Sequence, residues 1–418
     1  MRVLLLGGGG REHAIGWKLC QSPHLSMLLS APGNPGLSTL GPIVPGFDAE
    51  DPVAVADLAD RERADLVVVG PEAPLAAGVV DLLHDRKVPV FGPSRAAARL
   101  ETSKRFANTM MERAGVPTGA SASFADETKA IAYLESQPGP YVVKADGLAA
   151  GKGVLVTDRI DEAVAWVRRC LSGGFGDAGF TVVIEEFLDG EEVSVFALCD
   201  GERSVPLDPA RDYKRLLDDD LGPNTGGMGS YAPVDDLPHD LVAATMTRVI
   251  DPVLGTLAAD GVAYRGFLYA GLMLTSAGME VLEFNCRLGD PETQVVLPRL
   301  EEDFLTLLTA GAAGDLPSDP LRWSDTAAVD VVLAAPGYPE SPQKGLPITG
   351  LAAVEGKDDV LVFHAGTATD GEGLVTSGGR VLNIVGLGAT REEARAVAYD
   401  AAMTVDFPGK QMRMDIGT

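Results

Sequence analysis

The segment Leu66-Val67-Val68-Val69 constrains the fold more than any other. Four consecutive apolar residues leave no polar face, so a strand built from them must be covered on both sides. The run ends at Gly70-Pro71, and an earlier one, Val3-Leu4-Leu5-Leu6, leads into Gly7-Gly8-Gly9-Gly10. Between and beyond them the pattern reads as a helix at Arg11 to Cys20, a strand near Met27 to Ser30, a helix at Leu75 to Asp85 and a strand at Val88 to Phe91. Parallel strands need crossover helices, so this alternation predicts an α/β, doubly wound parallel sheet over residues 1–102.

Three loops leave that sheet at one end: Gly7 to Gly10, Pro32-Gly33-Asn34-Pro35-Gly36, and Gly70-Pro71-Glu72-Ala73-Pro74-Leu75. Ligands of open α/β sheets bind in the crevice there, and a glycine turn before a helix presents N–H groups to an anion. The first loop is not a dinucleotide fingerprint. Counted from Gly7 the third glycine position is Glu12, counted from Gly8 it is His13, and Ala31-Pro32-Gly33-Asn34 brings no acid for a ribose. NAD is therefore disfavoured, while three loops at one edge favour some ligand over an empty turn.

A helical segment, Leu100-Glu101-Thr102-Ser103-Lys104-Arg105-Phe106, ends at Gly115-Val116-Pro117. An α+β region follows, with a helix near Asp126 to Glu135 and a strand Tyr141 to Lys144 entering Ala145-Asp146-Gly147-Leu148-Ala149-Ala150-Gly151-Lys152-Gly153. This is no Walker loop: three residues separate Gly147 from Gly151, Gly153 stands where Ser or Thr belongs, and a strand follows. It reads as a glycine hairpin able to fold over phosphates, with Lys144 and Lys152 as cations. Strands Thr181 to Phe187 and Glu191 to Ala197 flank Leu188-Asp189-Gly190, an acidic hairpin of a kind that can hold adenine on backbone groups and a ribose on a carboxylate. A charged run at Arg211 to Arg215 and a glycine loop at Gly222 to Ser230 precede a helix, Leu241 to Leu257.

The hairpin Gly266 to Leu274 and Met279 to Asn285 then enters Cys286-Arg287-Leu288-Gly289-Asp290-Pro291-Glu292-Thr293-Gln294. Period two puts Glu283 and Asn285 on one face, with Arg287 at the same parity. Two oxygen donors on a rigid strand suit a hard cation that draws its other ligands from phosphate and water, although a solvent-facing edge strand would alternate in the same way. After about residue 326 strands at Val329 to Ala334, Val360 to His364 and Val381 to Val385, and a helix capped by Thr390 and Glu393, predict a small α+β domain without a catalytic constellation.

A net charge of −26 argues against nucleic acid or an anionic membrane as partner, and an anionic substrate would need a local basic cluster. No apolar run is expected to reach membrane-spanning length. Cys20, Cys170, Cys199 and Cys286 form no Cys-x-x-Cys pair and are expected as free thiols in a reducing cytosol.

Together these motifs resemble the ATP-grasp superfamily and, within it, the glycinamide ribonucleotide synthetases, from Gly8-Gly9-Gly10-Arg11-Glu12-His13-Ala14 to Arg413-Met414-Asp415-Ile416-Gly417. The resemblance implies an ATP-grasp domain at 103–325 with a small mobile lid at about 124–190, and a C-terminal domain at 326–418. It implies ATP-dependent ligation of glycine to 5-phosphoribosylamine through glycyl phosphate, with Mg²⁺ or Mn²⁺, in a cytoplasmic protein that is a monomer or alternatively a dimer. ATP would lie on Lys104, Lys144, the Gly147, Gly151, Lys152 and Gly153 lid, Glu185, Glu186, Phe187 and Leu188, and Glu192 with Glu191 as rival. Glu283 and Asn285 would hold the metal. Arg287, Lys144 and Lys214 would be catalytic. Gly9, Gly10, Arg11, Glu72, Asp212, Arg287 and Asp290 would hold the substrate. The superfamily's further acidic ligand is missing, since Phe267 to Leu274 contains no carboxylate.

Overall fold

The computed structural model describes residues 1–148, 153–174, 180–371 and 373–418. Its first sheet is parallel: Arg2–Gly7 pairs with Met27–Pro32 on one side and Leu66–Val69 on the other, and Leu66–Val69 pairs with Val90–Phe91. Alternate residues of the apolar runs enter different cores. Leu4, Leu6, Val67 and Val69 join one buried cluster, and Val3, Leu5, Leu66 and Val68 another. Both faces are covered, as four apolar residues in a row require. Residues 75–85 are not one helix: Glu72–Ala77 and Val79–Asp85 meet at Gly78, whose φ of +91° breaks the run. The next helix is cut at Ser103, which turns extended and caps Lys104–Ala114 by accepting from the Phe106 N–H at 3.2 Å.

The second sheet is antiparallel, in the order Ser121–Phe124, Val182–Glu185, Tyr141–Ala145, Val154–Thr157. The helices Glu127–Ser136 and Ile160–Leu171 pack on it in a small core of its own. The third sheet runs Ser204–Pro206, Gly190–Asp200, Arg265–Thr275, Gly278–Asn285. The acidic turn at 188–190 is therefore not a hairpin. Its flanking strands belong to different sheets, and residues 186–189 join them.

Leu241–Ala259 is one continuous helix of 19 residues with mean hydropathy 1.3, so the expectation that no run reaches membrane-spanning dimensions fails. Its Leu241, Met246, Val249, Ile250, Val253 and Leu257 are packed into the core that also holds Leu268 and Val281, which marks it as a core helix.

The fourth sheet runs Arg211–Asp212, Gly229–Ala232, Ala327–Ala334, Arg380–Gly388, Val360–His364. Two of its strands come from the middle of the chain, which ties the C-terminal region to the loops between them. The Arg391–Thr404 helix covers its outer face with Ala394, Ala398 and Ala401. Thr390 caps that helix through the Glu393 N–H, but the Glu393 carboxylate answers to Ala389 at 3.0 Å, one residue before the cap.

Candidate active site

The Gly278–Asn285 strand slips register at Leu282: Val281 faces Leu272, and Glu283 faces Gly271. At this bulge Lys144 Nζ donates to the Leu282 carbonyl at 3.4 Å. Beyond it the expected alternation brings three side chains into line. Asn285 Nδ2 lies 3.4 Å from Glu283 Oε1, and Arg287 Nη2 donates to Asn285 Oδ1 at 3.1 Å.

Glu283 is ringed by cations from three elements. Burial alone would raise its carboxyl, but Lys104, Lys214 and Lys144 outweigh burial and hold it at about 2. Lys104 opens the Lys104–Ala114 helix, Lys144 lies on Tyr141–Ala145, and Lys214 follows Arg211–Asp212. Burial opposes the Lys144 charge, yet Glu185 at 2.5 Å and Glu283 keep it above its ordinary value. Burial dominates at Lys214 and lowers it, although Lys214 bonds Glu192 and faces Glu283 and Glu292. Burial, with Glu292 and Glu283 beside it, pushes the Asp212 carboxyl well above the usual range.

The strands on either side of residues 149–152 are joined at their ends. Ala145 N–H donates to the Gly153 carbonyl at 2.8 Å, and Gly147 adopts φ +145°. Asp146 accepts from the Arg105 N–H at 3.1 Å and from the Ser103 hydroxyl at 3.3 Å, which ties the hairpin to the helix of Lys104. Gly151 and Lys152 lie outside the described residues.

The Glu185 carboxylate is taken by Lys144 and by Asn108 at 3.2 Å, so a purine contact falls to backbone atoms. The Glu186 N–H is taken as well, by the Ala120 carbonyl at 2.8 Å, and its carboxylate accepts from the Ala120 N–H. Among the described residues the Glu186 carbonyl and the N–H groups of Phe187 and Leu188 make no hydrogen bond. The two neighbouring acids diverge, as strand parity demands. Glu192 turns inward to Lys214, whereas Glu191 pairs with Arg211 at 3.0 Å with 69% of its side chain exposed.

On the other flank a buried ion network joins the helices of Glu72 and Glu101 to the residues just after the Gly278–Asn285 strand. Arg287 lies 2.9 Å from Glu101 and 3.4 Å from Glu72, and the other Glu101 oxygen accepts from the Cys286 N–H at 2.7 Å. Burial raises Glu101 above the usual carboxylate range despite Arg287. Burial also works against Glu72, but Arg287 and Arg11 prevail and lower it. Arg11 Nη1 donates to the Leu288 carbonyl at 3.2 Å. Asp290, lowered chiefly by Arg380 and Arg11 against burial, accepts from Gln294 at 2.9 Å.

The first loop is closely packed by the chain's own side chains. Gly9 N–H donates to Glu12 at 2.7 Å, so the chain's own carboxylate holds the anion position there. Gly10 is walled in: a Cβ would stand 2.3 Å from the Asn383 amide nitrogen and 2.8 Å from that of Gln294. A glycine is required there because the start of the Gly10–Leu19 helix packs against the Arg380–Gly388 strand and Gln294. Arg287, expected as a catalytic and substrate-binding residue, is shared between two carboxylates and Asn285.

Sequence reasoning missed Asn108, Glu101, Glu292, Tyr338 and Arg380. Glu101 stands three residues before Lys104 and Glu292 nine after Glu283, both within reach of a reading by neighbourhood. Glu292 accepts from the buried Ser194 hydroxyl at 3.0 Å. For a metal, no group of three or more His, Cys, Asp or Glu side chains forms a binding cluster among the described residues. One ionised carboxylate and one amide oxygen remain, a hard, sparse donor set that fits a cation completed by phosphates and water.

Comparison with known proteins covers nearly the whole chain. Residues 1–101, 102–293 and 328–418 match the family models described as the N domain, the ATP-grasp (A) domain and the C domain of phosphoribosylglycinamide synthetase. The phosphoribosylamine–glycine ligase of Mesorhizobium japonicum is 48% identical over 417 residues, 100% of this chain and 98% of that protein. The crystal structure of phosphoribosylamine–glycine ligase from Thermotoga maritima superimposes with a TM-score of 0.87 at 39% identity, covering 99% of this chain and 100% of that one. The biotin carboxylase domain of Hydrogenobacter thermophilus 2-oxoglutarate carboxylase shares the fold alone, at a TM-score of 0.74 and 15% identity over 98% of this chain and 91% of that one.

Proposed function

The chain belongs to the phosphoribosylglycinamide synthetase family, and from that membership we propose how its residues divide the work of an ATP-dependent ligase. The chain joins glycine to 5-phosphoribosylamine, giving glycinamide ribonucleotide, ADP and phosphate, a step of purine biosynthesis. A carboxylate is a poor acyl donor because its leaving group is oxide. In our reading a glycine carboxylate oxygen attacks the γ-phosphorus of ATP, the β–γ bridging bond breaks, and ADP leaves. The amine of phosphoribosylamine then attacks the glycyl carbonyl, loses a proton, and expels phosphate. No protein nucleophile is needed, so the residues act by positioning and charge.

The observation that carries this reading is Glu283 among Lys104, Lys144 and Lys214. Three ammonium groups around one ionised carboxylate are arranged for a polyphosphate with its cation. Lys104 and Lys144 bind the phosphates, with the 147–153 hairpin as lid. The free Glu186 carbonyl and Leu188 N–H offer an acceptor and a donor to the edge of adenine, beside Phe187, and Glu192 takes the ribose. Mg²⁺ or Mn²⁺ held by Glu283 and Asn285 would neutralise phosphate charge. Lys214 lies toward the transferred phosphoryl group. Arg287, fixed by Glu101 and Glu72, stabilises the acyl oxyanion, and Arg11, Glu72, Asp212 and Asp290 bound the substrate side. We read the chain as cytoplasmic, which four free cysteines support, and as a monomer or alternatively a dimer.

The test is ADP release with each substrate omitted in turn. Steady turnover should require ATP, glycine and phosphoribosylamine together. Equal ADP release with another amino acid or with bicarbonate in place of glycine would sink the assignment of substrates.

A further inference from the structure

We propose that Arg380 is a positioning residue of the ligase reaction, the point at which the C-terminal sheet sets Lys214. The proposal rests on the role given to Lys214 above. Arg380 opens the Arg380–Gly388 strand, and just there the ladder slips: Leu333 faces Leu382, but Ala334 faces Arg380. A bulge re-aims side chains, and this one accompanies a guanidinium that leaves its own sheet for two loops of the site.

Its Nη1 donates to the Gly226 carbonyl at 2.6 Å and also to the Asp290 carbonyl, and its Nη2 lies 3.3 Å from the Asp290 carboxylate. Gly226 is held from its other side too, because its N–H donates to the Tyr338 hydroxyl at 3.0 Å. Close approach is built in. A Cβ on Gly226 would stand 3.1 Å from the guanidinium carbon, and one on Gly379 would stand 2.3 Å from the Tyr338 ring. The same loop presses on Asp290-Pro291: a Cβ on Gly227 would stand 2.4 Å from Pro291 Cδ.

From Gly226 the hydrogen bonds run to Lys214. Thr225 donates to the Lys214 carbonyl through its N–H at 2.8 Å and its hydroxyl at 2.9 Å, and Met228 N–H donates to the Tyr213 carbonyl at 2.7 Å. The Lys214 ammonium bonds Glu192 beside Glu283. One nitrogen of the guanidinium holds both carbonyls while the other meets the Asp290 carboxylate, and lysine, with all its N–H groups on one nitrogen, cannot reproduce that planar fork. The C-terminal region thus enters the reaction without touching a substrate.

The test is a double-mutant cycle of Arg380→Ala and Lys214→Ala, read as kcat and KM. Arg380→Ala should lower kcat about 30-fold with the KM for ATP within about 2-fold, because misplaced catalytic groups cost rate before binding. In the Lys214→Ala background the same change should cost less than about 3-fold, since the group it positions is gone. Arg380→Lys should lose nearly as much as Arg380→Ala despite its charge, and Tyr338→Phe a smaller share. Losses that multiply in the double variant, or wild-type kcat in Arg380→Lys, would overturn the proposal alone. Wild-type turnover by Lys214→Ala would remove the role of Lys214 and the proposal with it. If Arg380→Ala does not fold, the cycle is run with Arg380→Lys and is judged in the same way.

Discussion

Glu283→Ala should lower kcat at least about 1,000-fold while the protein still unfolds cooperatively, because it strikes electrostatic stabilisation and metal ligation together. The wild-type carboxylate sits against Lys104, Lys144 and Lys214 and is held at about 2. Without it the three ammonium groups face one another, and Asn285 is left as the one protein oxygen of the pair. Glu283→Gln separates shape from charge: it keeps the side-chain volume and should lose nearly as much rate. Binding of a non-hydrolysable ATP analogue should weaken less than kcat falls, since the lysines persist. Turnover close to wild type at ordinary Mg²⁺ would take Glu283 out of the metal site.

Arg287→Met should cost both rate and stability. Arg287 lies between Glu101 and Glu72, and its removal leaves Glu101 buried and uncompensated. Stranding one partner of a buried pair costs about 3–5 kcal/mol, and loss of a fixed oxyanion donor costs about 100-fold or more in kcat. The stability loss should depend on pH with a definite sign. Burial already raises Glu101 above its unfolded value, so the folded state favours its protonated form. Without Arg287 that preference strengthens, and stability falls as pH rises above the unfolded carboxyl range. The melting-temperature deficit against wild type should be larger at pH 8 than at pH 5. An equal deficit at both, or none, would show that Glu101 does not depend on Arg287.

Whatever short-range physics determines was legible in the chain. Leu66–Val69 had to be a strand covered on both faces, and alternation from Glu283 to Arg287 survived even the bulge at Leu282. That the Lys144 strand turns back through glycines into an antiparallel partner was legible too. What the sequence hid was long-range. Nothing local says that Thr181 to Phe187 and Glu191 to Ala197 pair into different sheets, so a joining segment looked like a hairpin. Nothing in Gly7 to Gly10 says that Glu12 folds back onto Gly9, or that Asn383, far along the chain, fills the space beside Gly10. Arg380 and Tyr338 were invisible for the same reason: their partners Gly226 and Asp290 are brought close only when the fourth sheet draws strands from both halves of the chain.

The central claim is that this site activates a carboxylate by phosphorylating it. Glycine labelled with ¹⁸O in both carboxylate oxygens tests that directly, with ATP, Mg²⁺ and phosphoribosylamine in a single incubation and the released phosphate read by mass. Each phosphate should carry one ¹⁸O atom, matched by loss of one from the glycyl group of the product. Unlabelled phosphate released alongside product would contradict the claim.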